Sequence, residues 1–138
     1  IEQEVQKGTP FLGICLGMQL LFEKSYEFGE HDGLGIIKGK VLPINEICGK
    51  LAVPHMGWND VVSVKKSKLI SSALFSTYFV HSYYCECSNN EDILGQTEYG
   101  EMFCSAIERE NIFGVQFHPE KSHKDGLSIL KNFGSLSC

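Results

Sequence analysis

Two short stretches, far apart in the chain, hold the side chains best suited to chemistry. The first is Gly13-Ile14-Cys15-Leu16-Gly17, a cysteine with a glycine two residues to either side. The strand that ends in Phe11 to Ile14 is apolar and reads as buried, and Leu16 to about Lys24 reads as a helix. This is the G-x-S-x-G pattern of a nucleophile elbow, with sulfur in place of oxygen. A sharp strand-to-helix turn presses neighbouring backbones together, and only small residues fit there. The turn lifts the nucleophile above the sheet edge, at a helix start whose free N–H groups favour thiolate over thiol. The competing reading of Cys15 is an inert thiol packed beside a glycine-rich turn.

The second stretch is Gly114-Val115-Gln116-Phe117-His118-Pro119-Glu120-Lys121-Ser122. Residues two apart on extended backbone project to one side, which places Glu120 near the ring of His118. Pro119 biases His118 towards extended geometry and fixes its own φ. A carboxylate there orients an imidazole and stabilises its charged form, as the third member of a Cys-His-acid arrangement requires. The competing reading is a histidine at a strand end, with Glu120 paired to Lys121 or Lys124. Amide cleavage suits the first reading, because a poor leaving nitrogen needs both an activated nucleophile and a proton donor.

His55 and His81 also follow apolar segments, Leu51-Ala52-Val53 and Tyr78-Phe79-Val80. Neither has a histidine at i,i+2 or i,i+4, so no ligand pair anchors a metal, and loop anchoring on a backbone carbonyl is expected of both. Cys85-Glu86-Cys87 has the wrong spacing for a structural zinc pair. Trp58 is the one tryptophan, and reads either as core or as an exposed aromatic anchor for a partner.

The framework around these groups follows from composition and pattern. The 138 residues are 43% hydrophobic and 21% charged, which suits one globular domain. A net charge of −5 argues against nucleic acid or an anionic membrane as the main partner. Six scattered cysteines fit free thiols in a reducing cytoplasm. Short strands are expected at 34–37 and 40–44 around Lys38-Gly39, and at 50–55 and 60–64 around Met56-Gly57-Trp58-Asn59. Residues 66–75 read as a loop or helical turn, and 77–84 as a strand. A hairpin over 93–98 and 102–108 turns at Tyr99-Gly100-Glu101, 112–117 is a buried strand, and 122–133 is a closing helix. The chain opens on Ile1 and reaches its nucleophile strand almost at once, whereas an elbow normally lies on an interior strand. An N-terminal portion is therefore expected beyond these residues.

With Phe11-Leu12-Gly13-Ile14-Cys15-Leu16-Gly17-Met18-Gln19 and Gln116-Phe117-His118-Pro119-Glu120 together, the chain resembles the class I (triad) glutamine amidotransferases. Pro54-His55-Met56-Gly57-Trp58-Asn59 and Phe79-Val80-His81-Ser82-Tyr83-Tyr84 are similar to the glutaminase subunits of imidazole glycerol phosphate synthase within that family. The resemblance implies an α/β fold, an open sheet with flanking helices, truncated at its N-terminus, and no cofactor or metal. It implies Cys15 as nucleophile, His118 as proton shuttle and Glu120 as its orienting acid. Leu16 would give an oxyanion N–H, Gln19 and Glu27 would hold glutamine, and Ser82 and Tyr83 would receive its amino-acid end. Ammonia would pass to a (β/α)8-barrel cyclase subunit, with Met56, Trp58 and Tyr78 at or near that interface. The family's Gly-rich loop before the nucleophile strand, donor of a second oxyanion N–H, has no counterpart here. Losing one such donor costs about 10²–10³ in rate, so these residues alone are expected to be poorly active. A glutaminase serving another synthase, a γ-glutamyl hydrolase and a non-catalytic subunit are the rival implications.

Overall fold

The computed structural model describes residues 1–136. In chain order the helices are α1 (Glu2–Gln6), α2 (Leu16–Gln19) and α3 (His123–Gly134). The first five strands are β1 (Phe11–Ile14), β2 (Phe22–Ser25), β3 (His31–Asp32), β4 (Ile37–Pro43) and β5 (His55–Ser63). The others are β6 (Leu74–His81), β7 (Tyr83–Cys87), β8 (Ile93–Tyr99), β9 (Glu101–Arg109) and β10 (Ile112–Val115). All ten belong to one sheet, so the α/β expectation is met with far more strand than helix.

β9 is the hub of that sheet. It pairs with β8 in a hairpin, with β7 through Cys85 and Cys104, and with β10 along 106–109. β10 in turn carries β1 as a parallel neighbour, with Gly13 opposite Gly114 and Ile14 opposite Val115. The carboxyl ends of β1 and β10 therefore leave the sheet side by side. β10 is buried along its whole length, Phe113 and Val115 entering one apolar cluster and Ile112 the other. An unbroken apolar run is what a strand covered on both faces requires. α3 drives Ile129 into the first cluster, and its Asn132 amide donates to Leu69 O at 2.9 Å.

Three sequence expectations are corrected. The helix after Cys15 stops at Gln19, and Phe22–Ser25 is instead a strand parallel to β4. Residues 56–59 are not a turn but the front half of a continuous β5, paired residue for residue with β6. Lys38-Gly39 likewise lies inside one strand, β4, where Gly39 has φ +144 and a Cβ would fall 2.1 Å from Glu86 O. Glycine there permits close backbone approach rather than a reversal. Cys138 lies outside the described residues. No helix among those described is long and apolar enough to cross a membrane.

Candidate active site

Cys15 follows the last residue of β1 with φ 54 and ψ −106, a positive-φ conformation that a residue with a side chain rarely adopts. It is fixed by its own N–H, which donates to Val115 O at 2.8 Å and so continues the β1–β10 pairing into the turn. The turn then folds back onto β1. A Cβ at Gly13 would lie 2.5 Å from Gly17 O and 2.7 Å from Met18 N, so the glycine at that position is a steric necessity. Gly17 is different: a Cβ there meets nothing within 4 Å. Only the first glycine of the motif is thus explained by crowding.

The Cys15 sulfur lies 3.9 Å from Val80 O and accepts from Gln116 Nε2 at 3.5 Å. Burial raises its pKa above the usual thiol value. Hydrogen bonds from the Leu16 N–H and the Gln116 amide oppose that rise, while the charges of Glu120 and Glu27 add to it. Burial therefore works against the thiolate expected of a helix start. α2 is only four residues long, and desolvation outweighs its N–H groups. A thiol in that state needs a base to remove its proton.

His118 stands three residues beyond β10 and is held on the sheet by two bonds. Its N–H donates to Tyr78 O at 2.9 Å, and Ser122 Oγ donates to its carbonyl at 2.6 Å while accepting from the Tyr78 N–H at 2.9 Å. Its Nδ1 donates to Glu120 Oε1 at 2.7 Å, since the carboxylate can only accept. Nε2 is left bare, the tautomer a proton acceptor needs. The His118 ring and the Glu120 carboxylate are thus in direct contact. No hydrogen bond joins the His118 ring to the Cys15 sulfur in this structure. The two share the carboxyl edge of adjacent parallel strands, and catalytic contacts often close only around substrate.

An open cleft beside the thiol is lined by Cys15, Leu16, Gln19, Glu27, Ser82 and Tyr83, with Phe28 and His81 completing it. All five residues expected to hold substrate meet there, whereas His118 and Glu120 are not part of that lining. Gln19 is turned inward: its amide nitrogen donates to Tyr83 O and to Gln116 Oε1, each at 3.2 Å. His81 behaves as a loop anchor, its Nδ1 bonded to Tyr83 O at 2.7 Å. His55 does not. Its partners are His81 Nε2 at 2.8 Å and the Asn59 amide at 3.1 Å. The roles of Gln116 and Asn59 were missed in the sequence, although Gln116 sits two residues before His118 on the same strand end.

Met56 and Trp58 alternate on the outer face of β5, 63% and 48% exposed. Trp58 stacks on His123 with ring centroids 5.0 Å apart and meets Tyr78 edge-on at 6.1 Å. It is therefore a half-exposed surface aromatic rather than a core residue. Among the described residues no three His, Cys, Asp or Glu side chains gather as a metal-holding group.

A positive-φ cysteine at the end of one parallel strand, with a histidine–carboxylate pair beyond the end of the next, is the arrangement of an α/β protein of the elbow type. Residues 1–135 match the family profile described as glutamine amidotransferase class-I, and the chain belongs to that family. It is 53% identical over 132 residues to imidazole glycerol phosphate synthase subunit HisH of Wolinella succinogenes, covering 93% of this chain and 64% of that protein. The subunit of the same name from Aquifex aeolicus is 50% identical over 137 residues, covering 96% of this chain and 64% of that protein. The chain thus spans a little under two thirds of the length of these relatives. Among solved structures, the glutaminase domain of Trypanosoma brucei CTPS with bound acivicin superposes with TM-score 0.67 at 22% identity. That match covers 99% of this chain and 64% of that one, and it shows the shared fold.

Proposed function

We propose that the protein is the glutaminase subunit of an imidazole glycerol phosphate synthase, acting in the cytoplasm in histidine biosynthesis. The observation that carries this is the Cys15 elbow, φ 54, on a strand directly beside the one that delivers His118 with Glu120 behind it. In the reaction, His118 Nε2 takes the thiol proton and Cys15 Sγ attacks the side-chain amide carbon of glutamine. The Leu16 N–H stabilises the oxygen of the tetrahedral adduct. The C–N bond then breaks as the imidazolium returns its proton to nitrogen, and ammonia leaves. Water, deprotonated by the same ring, cleaves the glutamyl thioester and frees glutamate and the thiol.

In this reading Glu27 faces the α-ammonium of glutamine, Ser82 and Tyr83 receive its amino-acid end through their backbone, and Gln19 braces that wall. The 44–53% identity to proteins named as HisH subunits supports the choice of acceptor pathway. The partner would be a (β/α)8-barrel cyclase, docking on the face that carries Met56, Trp58 and Tyr78 and taking up the ammonia. The test combines glutamine turnover with labelling by a glutamine-analogue electrophile such as acivicin, in the presence of the cyclase. Selective modification of Cys15, and loss of both turnover and label in Cys15→Ser, is the expected result. A protein whose Cys15 stays unlabelled, or whose Cys15→Ser variant still hydrolyses glutamine, is not this enzyme.

A further inference from the structure

His55 and His81 are almost fully buried, 3% and 6% exposed, yet they are not paired with any charge. Their hydrogen bonds form part of a longer chain whose direction can be worked out from its carbonyl ends, which can only accept. Glu98 O accepts from Asn59 Nδ2 at 2.9 Å, which fixes the Asn59 amide and directs its other hydrogen to His55 Nε2 at 3.1 Å. His55 Nε2 is therefore bare and its proton sits on Nδ1, donating to His81 Nε2 at 2.8 Å. His81 in turn carries its proton on Nδ1, donating to Tyr83 O at 2.7 Å. Tyr83 O accepts a second bond from Gln19 Nε2, whose other hydrogen goes to Gln116 Oε1. That leaves the Gln116 amide nitrogen facing Cys15 Sγ at 3.5 Å.

We propose that His55 and His81 are positioning residues for this site: as neutral, Nδ1-protonated rings they hold the Tyr83 carbonyl, and through Gln19 and Gln116 they hold a hydrogen-bond donor on the nucleophile sulfur. The assignment deepens the glutaminase reading and rests on it only for the role of Cys15. Packing alone does not account for the two rings. His55 is stacked on Tyr99 at 4.0 Å and on Phe79 at 4.7 Å, a slot that a phenylalanine would fill without the cost of burying ring nitrogens. Both ring N–H groups and both amide hydrogens of Asn59 and Gln19 are used, and either ring as imidazolium would set two N–H groups against each other. Burial pushes the same way, lowering both rings to about 4. The chain also ends on β5 between Met56 and Trp58 on one side and Asp60 on the other, so it ties the thiol to the strand of the proposed partner face.

Two measurements on the intact protein test this. Long-range ¹H–¹⁵N spectra of the imidazoles at pH 6 are expected to show two neutral rings protonated on Nδ1. Their disappearance in His55→Phe and His81→Leu assigns them. An Nε2–H tautomer or an imidazolium at either ring overturns the proposal, and this needs no variant to be active. The second measurement is the rate of iodoacetamide alkylation of Cys15, read on its peptide by mass spectrometry. Loss of the bond to Tyr83 O in His81→Leu is expected to slow it roughly 2- to 10-fold. His81→Asn, whose amide can reach the same carbonyl, is expected to recover most of that rate. Equal rates in the Leu and Asn variants, or no change in either, overturn it. Neither readout uses glutamine, so failure of the glutaminase reading and failure of the hydrogen-bond chain are told apart.

Discussion

In the proposed reaction Glu120 has one job, and that job is separable from binding. Its carboxylate accepts a hydrogen bond from His118 Nδ1 at 2.7 Å, which leaves Nε2 free to accept the thiol proton in the proposed reaction. Because burial raises the Cys15 pKa above that of a free thiol, the proposed reaction depends on that acceptor more than one starting from a ready-made thiolate would. Glu120→Gln keeps the shape but presents an amide, which can turn its own N–H to the ring and select the wrong tautomer. A fall in kcat of about 10²–10⁴ is expected, with KM for glutamine nearly unchanged. Steady-state kinetics in the presence of the proposed cyclase partner checks it. A KM effect with kcat preserved would place Glu120 in substrate binding instead.

Among the strands and helices, the elbow was legible in the sequence and what comes after it was not. Gly13, Cys15 and the apolar Phe11–Ile14 announce a strand and a tight turn, because crowding at Gly13 leaves no other residue. Met18, Leu21 and Phe22 are all buried at a spacing that suits a helix, yet they serve a short helix and then a strand. What decides is the parallel pairing of Phe22 with Ile37 and Lys24 with Lys40, a long-range contact that local periodicity does not encode. Gly57 misled in the opposite sense, since a glycine in mid-strand looks like a turn until its partner strand is seen. The hairpin at Gly100 was readable because its strands are neighbours in sequence. The glycines of the elbow allow a direct check. Gly13→Ala drives a methyl into the Gly17 backbone and is expected to cost about 3 kcal/mol. Gly17→Ala meets open space within α2 and is expected to be neutral or stabilising by up to about 1 kcal/mol. Urea denaturation of the two variants gives the comparison, and equal losses would mean that the turn relaxes around either methyl.

For the molecule as a whole, the histidine pair makes folding itself sensitive to acid. Both rings are lowered from 6.5 to about 4 by burial, so the folded protein stays unprotonated there while the unfolded chain takes up two protons. Stability rises with pH wherever the unfolded state binds more protons. The contribution is therefore fully present above about pH 6.5 and is lost as pH falls towards 4, where the folded rings begin to charge as well. Two groups acting together set a slope of at most about 2.7 kcal/mol per pH unit inside that window. The unfolding midpoint in urea is thus expected to drop steadily between about pH 6.5 and about pH 4.5. In a His55→Phe, His81→Leu double variant the same drop is expected to be clearly shallower, whatever its starting stability. The comparison uses slopes rather than absolute stabilities, so the cost of removing two buried hydrogen bonds cancels from it. Parallel slopes in the two proteins would mean that the rings are already charged in the folded state, and that the buried chain leading to Cys15 runs by a different set of protons.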